Sequence, residues 1–320
     1  MKLVLAIEIG VTSSKVGLVN QYGDLQAKFA VDHDLTRLIP NLFEKIIDGL
    51  EAIGINYEEE VEKIGIAIGG YVDHMLGIIR YSANLNLTNY HLKEVAEELF
   101  KKPIFVINDA NASALGEFWT GVAKQYDSII FYYVDNGIGG AVITEGKLAP
   151  GARGFAGEFG HGGGVFQKNY PCSCGLTGCV EPMSSILGIA NHFKVTFKNK
   201  KNHSAAHFFK NVEDITFKEI LEIYEENNQP EEITVLLQEA LDPLIMHMAT
   251  MINALDPEAI ILAGGLTQLD EKLIEIIQSS IKKYMIDMFA EELTIEIAEL
   301  GNDSTMIGSA YYALNDWKIF

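Results

Sequence analysis

His161, Cys172, Cys174 and Cys179 stand in the order H-x10-C-x-C-x4-C. Three soft thiolates and one imidazole form a closed tetrahedral donor set, the kind a structural zinc ion takes. Gly175 and Gly178 let the short loop fold back so that the sulfurs converge. With no fourth cysteine and no carboxylate marking an open position, the expected ion is structural rather than catalytic. These three cysteines are all the chain has, an odd number inside eight residues, and so a poor disulfide framework. His203 and His207 are four apart on an expected helix but lack the glutamate of a zinc-protease motif, and read as solvated surface histidines.

Asn108-Asp109 stands where a strand-like run gives way to a helical one. An aspartate there is either a helix N-cap or a general base at the C-terminal edge of a strand, where α/β folds place ligands. Glu158 lies three residues before His161, and Glu181 two after Cys179. Carboxylates that accept from vicinal hydroxyls, beside an Asn108 that both donates and accepts, suit a polyhydroxylated ligand.

Residues 8–15, E-I-G-V-T-S-S-K, form a turn between two strand-like runs. Its backbone N–H groups and hydroxyls could meet an anion, and Glu8 could hold water around a magnesium ion; a plain hairpin turn is the alternative. Residues 135–140, D-N-G-I-G-G, form the matching turn of a second such pair. Gly264-Gly265 ends a buried run at 259–262, and lets a planar ring or a phosphate approach the backbone or simply turns the chain into the next element.

Strands are expected at 3–8, 15–19, 25–31, 64–68, 104–107, 128–134, 139–144 and 259–262, and helices at 42–53, 91–100, 109–121, 231–255 and 305–314. Residues 70–88 read as irregular. The pattern of strand, glycine turn and strand occurs twice, near 3–19 and 128–144. This is a coarse internal repeat, which implies two similar sheet domains facing a cleft. The domain division is set at 1–110 plus 301–320 for the N-terminal domain and 111–300 for a C-terminal domain holding the cysteine motif. The expected class is α/β, with mixed sheets flanked by helices.

Composition bounds the partners. Hydrophobic residues make up 48% and charged residues 21%, enough for a large core. Twenty-four basic residues against 44 acidic ones give a net charge of −20, which repels phosphate backbones and anionic lipid. Nucleic acid and membrane are therefore not the expected partners. No uninterrupted apolar run approaches the ~18 residues of a membrane span. The first apolar stretch is five residues long and ends at Glu8, too short for a signal peptide, so a cytoplasmic protein is expected.

In order and spacing, over essentially the whole chain, these residues resemble the ROK family of bacterial sugar kinases and sugar-responsive repressors. The family's D-I-G-G-T corresponds to Glu8-Ile9-Gly10-Val11-Thr12, and its N-D-x-N-x-x-A-L-G-E to residues 108–117. Its glycine-rich sugar-and-zinc signature corresponds to residues 151–161, G-A-R-G-F-A-G-E-F-G-H. Its C-x-C-G-x-x-G-C-x-E corresponds to residues 172–181. The resemblance implies the two-domain actin-like, ribonuclease-H-like ATPase fold. It implies a homodimer and ATP-dependent phosphorylation of a hexose or N-acetylhexosamine at the 6-hydroxyl.

By the same resemblance Asp109 is the base, and Asn108, Glu158, His161 and Glu181 hold sugar hydroxyls, with Asn84 closing the pocket. Glu8, Gly10, Thr12, Lys15, Gly137 and Gly139 belong to the phosphate loops that take ATP with magnesium. Gly264 and Gly265 lie beside the adenosine. The departures are on the nucleotide side: Glu8 replaces Asp, Val11 replaces a glycine, and Asp135-Asn136-Gly137 replaces G-T-G. The glycerol-kinase-like branch of the fold, with D-x-G-T-T-S-S-R, also has a non-glycine at the Val11 position. An extra carboxylate at Asp135 opposes a polyphosphate. The alternative is therefore a sugar-binding homologue that has lost phosphoryl transfer. The family's repressors carry an N-terminal helix-turn-helix, whereas this sequence opens on its first strand, so no such module is expected.

Overall fold

The computed structural model describes residues 3–33, 38–162, 170–200, 203–290 and 293–316. The ends of the expected N-terminal domain, at 1–2 and 317–320, lie outside them.

Among the described residues, thirteen strands form three sheets. The first sheet holds β1 (Leu3–Ile9), β2 (Ser13–Val19), β3 (Leu25–Asp32), β4 (Val61–Ile68) and, beyond three short strands, β8 (Ile104–Asn108). Those short strands, β5 (Tyr71–Asp73), β6 (Ile78–Ser82) and β7 (Leu87–Tyr90), make a small antiparallel sheet of their own. The last sheet holds β9 (Ile129–Val134), β10 (Ile138–Thr144), β11 (Lys147–Leu148), β12 (Ala259–Ala263) and β13 (Thr294–Ile297). The large sheets run β3-β2-β1-β4-β8 and β11-β10-β9-β12-β13. Each thus reads third, second, first, fourth, fifth in order of its own strands. The expected internal repeat is present, and extends to the connectivity of all five strands. Within the first sheet β1–β3 are antiparallel, while β1, β4 and β8 are parallel.

The alternation of side chains along β1 builds the first core. Leu3, Leu5, Ile7 and Ile9 face one way and pack with Leu42, Phe43 and Ile46 of the helix Leu38–Ala52 and with Leu92, Ala96 and Phe100 of the helix Leu92–Phe100. Val4 and Ala6 face the other way, onto Met306, Ala310 and Ala313 of the helix Ser304–Leu314. Period two in the strand and period 3.6 in the helices therefore give three layers. Glu8 has the parity of Val4 and Ala6, which puts its carboxylate on the side of the C-terminal helix.

Contacts group the chain into two units, 1–129 with 141–157 and 298–320, and 130–140 with 158–297. The division expected at residue 110 falls inside the helix Asp109–Trp119. That helix stays with the first unit because it meets the helix Ser304–Leu314 backbone to backbone. A Cβ on Gly116 would collide with Ser304 O, and one on Gly308 with Ala112 O. Ser113 Oγ and Ser304 Oγ, both buried, are 2.7 Å apart across the same contact.

The second unit packs β9 and β12, buried almost throughout, with long helices. The longest, Glu231–Leu255, is 25 residues and apolar enough by length and composition to cross a membrane. Here it is a core helix that buries Leu237, Leu241, Leu244 and Met248, and it carries Glu239 and Asp242 mid-length.

Candidate active site

The junction of β8 with the helix Asp109–Trp119 decides what Asp109 does. Asn108 is extended (φ −64°, ψ 145°), and its Oδ1 accepts the Asn111 N–H at 3.1 Å. Asn108 is therefore the N-cap, and Asp109 is the first helical residue, which corrects the reading of Asp109 as a cap. The Asn108 amide also donates to Gly70 O at 3.2 Å. Asp109 Oδ1 accepts the Ala110 N–H at 2.9 Å, while Oδ2 faces Gly69, where a Cβ would stand 3.1 Å away. The side chain is solvent-exposed, yet protein crowds around it, and desolvation pushes its carboxyl above the ordinary aspartate range while the Ala110 N–H pulls it back. Contact with solvent limits the rise, and the carboxylate is more basic than an ordinary aspartate.

Glu8 stands at the end of β1 opposite Lys15 on β2. Burial pushes its carboxyl up, Lys15 counters this, and Asp109 and Asp303 add to the rise. Gly10 follows in a turn closed by its N–H to Ser13 O at 3.1 Å, and a Cβ there would lie 2.6 Å from that oxygen. Val11 is 53% exposed, and Thr12 is also exposed.

The motif residue Glu117, to which sequence reading gave no role, ties this region together. Fully buried, its Oε1 accepts the Leu300 N–H at 2.8 Å, and its Oε2 those of Val122 and Glu299 at 3.2 and 3.3 Å. It thereby fixes the segment that brings Asn302 O to 3.5 Å from Lys15 Nζ. Its place in the motif, eight residues after Asp109 on a helix, was the available signal. Asn84 is exposed on the turn between β6 and β7. That sheet leans on the junction: a Cβ on Gly70 would collide with Tyr81 O.

In the second unit the expected metal ligands converge. The donor atoms of His161, Cys172, Cys174 and Cys179 all lie within 4.8 Å of one another. A tetrahedral zinc ion with bonds of ~2.3 Å to sulfur and ~2.0 Å to nitrogen needs S···S edges of ~3.8 Å and S···N edges of ~3.5 Å. Cys174 and Cys179 sulfurs are 3.7 Å apart, and Cys172 Sγ is 3.5 Å from His161 Nδ1. The Gly162 N–H reaches Cys179 Sγ at 3.3 Å, a usual outer contact of a zinc thiolate. The donor set thus fits zinc. In the metal-free chain burial, reinforced by the neighbouring thiols, pushes Cys172 up to about 11.

With Nδ1 turned to the sulfurs, His161 Nε2 points to Glu158, 3.9 Å from its Oε2. Phe159 anchors this segment, its ring 4.9 Å from that of Tyr132 and 5.2 Å from that of His247. Burial raises the Tyr132 hydroxyl and lowers His247, and the two side chains pair through Tyr132 Oη and His247 Nδ1 at 2.9 Å. Glu181 faces inward to the second turn. Its Oε2 accepts the Ile138 N–H at 3.0 Å beside Gly137, and its own N–H donates to Gly160 O at 2.9 Å. Its Oε1 lies 4.0 Å from Cys172 Sγ. Gly139 is half-buried on β10. Asp135 Oδ1 lies 2.7 Å from where a Gly265 Cβ would be, and Gly264, at φ +89°, lies against the Val134 backbone.

His203 caps a short 3-10 turn rather than sharing a helix with His207, its Nδ1 accepting the Ala205 N–H at 3.2 Å.

A model of the ROK family matches residues 4–316. The glucokinase of Thermotoga maritima is 28% identical over 319 residues, covering 96% of each chain. The xylose repressor of Caldicellulosiruptor bescii is 26% identical over 321 residues, covering 99% of this chain and 79% of its own. Among solved structures, a ROK family glucokinase from Streptomyces griseus, in complex with glucose and AMPPNP, superposes with a TM-score of 0.79 at 26% identity. That match covers 98% of this chain and 99% of the other. The repeated strand order and these likenesses give the chain the actin-like, ribonuclease-H-like ATPase fold.

Proposed function

The chain belongs to the ROK family, and we propose that it is an ATP-dependent sugar kinase acting on the 6-hydroxyl of a hexose or N-acetylhexosamine. The observation that carries this reading is the Asn108-Asp109 junction. Capping falls to Asn108, and the neighbouring carboxylate is left exposed, raised above the ordinary aspartate range and facing Gly69. A general base needs a pKa near working pH and a hydroxyl within hydrogen-bond reach.

In this mechanism Asn108, Glu158, His161 and Glu181 hold the sugar's hydroxyls, with Asn84 over the pocket. His161 is aimed by its own Nδ1 contact, and Phe159 fixes the segment. Asp109 takes the proton of the 6-hydroxyl as that oxygen attacks the γ-phosphorus and the bond to the leaving nucleoside diphosphate breaks. Phosphoryl transfer asks chiefly for positioning and charge neutralisation. The turns at Gly10-Thr12 and Gly137-Gly139 offer N–H groups to the phosphates, Lys15 offers a cation, and Gly264-Gly265 takes the adenosine. Glu8 would orient water about a magnesium ion, which neutralises phosphate charge when bound. His161, Cys172, Cys174 and Cys179 would hold a structural zinc ion. The reading includes a cytoplasmic homodimer, and the charge of −20 argues against nucleic-acid and membrane partners.

The second reading is a sugar-binding protein without phosphoryl transfer. Asp135 favours it, a carboxylate directed at the Gly264-Gly265 turn where a nucleotide would lie. A coupled assay of ADP release over a panel of sugars, run beside thermal-shift measurements on the same panel, separates the two. Turnover on one or more sugars is expected. Stabilisation by a sugar with no turnover on any nucleoside triphosphate would replace the kinase with the binding protein.

A further inference from the structure

We propose that His33 is a positioning residue for the first phosphate turn, acting on the nucleotide side alone. His33 follows β3, one residue past the last β2–β3 pair, Ser13 with Asp32. Its backbone N–H donates to Thr12 O at 3.0 Å and carries the ladder one step further. Its ring then reaches across the turn in two directions: Nδ1 is 3.1 Å from Val11 O, and Nε2 is 2.8 Å from Ser14 Oγ.

These partners fix the tautomer. Val11 O can only accept, so Nδ1 carries the proton. In the neutral ring Nε2 is then an acceptor, and the Ser14 hydroxyl donates to it. Ser14 is fully buried, so His33 satisfies a hydroxyl that water does not reach. Val11, by contrast, is 53% exposed and contributes no core packing to hold its own backbone. One histidine thus pins three parts of the turn: the Val11 carbonyl, the Thr12 carbonyl and the Ser14 side chain. Turning these carbonyls inward toward His33 aims the intervening N–H groups the other way, as an anion-binding turn requires.

This inference rests on the reading of the turn as a phosphate site, and its test separates the two. Three variants are compared with the parent. His33→Ala removes both ring contacts. His33→Asn sets a donor near the Nδ1 position and keeps the Val11 contact. His33→Gln reaches toward the Nε2 position and keeps a partner for Ser14. Amide hydrogen exchange across residues 10–14 is measured without ligand, together with calorimetric affinity for magnesium-AMPPNP and for the preferred sugar.

Exchange in the turn is expected to rise in His33→Ala, and nucleotide affinity to fall about tenfold, two hydrogen bonds' worth. Sugar affinity should stay within twofold, with Asn and Gln intermediate. Unchanged exchange overturns the proposal, as does a parallel loss of sugar affinity, which would mark a merely structural histidine. If the parent binds no nucleotide, the kinase reading fails, and exchange alone then judges whether His33 braces the turn.

Discussion

Lys15 Nζ lies 3.2 Å from each carboxylate oxygen of Glu8, its cross-strand partner. The ammonium partly neutralises a carboxylate that burial drives toward its protonated form. Such a raised acid weakens folding above its folded pKa, and that penalty disappears as pH falls through the raised value toward 4.5. Lys15→Met should enlarge the penalty. At neutral pH it should cost no more than about 1 kcal/mol, since Lys15 is 40% exposed. The gap in melting temperature between parent and variant should narrow from pH 7.5 to pH 5. A gap that stays constant over that range would show that the pairing does not set the Glu8 protonation.

Glu117→Gln preserves size but turns one acceptor into an N–H₂ group facing backbone donors. Three N–H groups meet Glu117, at 2.8 to 3.3 Å. Leaving buried donors unsatisfied costs ~1–3 kcal/mol, a fall of several degrees in melting temperature for a chain of this size. Scanning calorimetry checks this, and an unchanged transition would mean that the 298–303 segment is held by other contacts.

How much of this was legible in the sequence depends on the reach of each signal. The short apolar run that ends at Glu8 and the strand–turn–strand repeat are local, and they led correctly to β1, β9 and their partners. The helix 231–255 was also placed at its observed ends. The sheet of β5–β7 was not foreseen, because strands of three to five residues carry too few alternations to register. Capping by Asn108 rather than Asp109 is a shift of one residue between two good capping types, which composition cannot resolve. The direction of Glu181, toward Ile138, depends on where β10 lies, and no spacing within 172–181 encodes that.

Metal removal should be destabilising and proton-dependent. We expect one zinc per chain by elemental analysis. Cys172, whose thiol sits at about 11 without metal, must lose its proton to bind, so affinity should fall as pH is lowered. A strong chelator should release the ion and lower the melting temperature. Well under one equivalent, with no response to chelator, would leave the cluster as three thiols and a histidine.

Glu158→Ala should separate binding from transfer. Its carboxylate lies 3.9 Å from His161 Nε2 and is 37% exposed, placed to accept from a ligand hydroxyl. Removing a charged acceptor of this kind costs ~1.5–3 kcal/mol of ligand binding. Calorimetry should show the sugar weakened by that amount, with nucleotide affinity unchanged. Undiminished sugar affinity would place the carboxylate outside the sugar site.

Asp109→Asn tests the base itself. The helix should not notice, because Asn108 supplies the cap and the side-chain amide oxygen of the variant can still accept the Ala110 N–H that Asp109 accepts now. What is lost is a charge and a proton acceptor, so turnover should fall roughly 10²–10⁴-fold while sugar affinity changes by only several-fold. The cap finding sharpens the control: Asp109→Ala should barely shift the melting temperature, whereas Asn108→Ala should lower stability by about 1 kcal/mol. In the parent, the raised carboxyl predicts an acid limb in turnover lying above the ordinary aspartate value of 3.8, with activity rising as pH rises through it. That limb should vanish in Asp109→Asn. An unaltered limb in the residual activity would assign the proton transfer to another group.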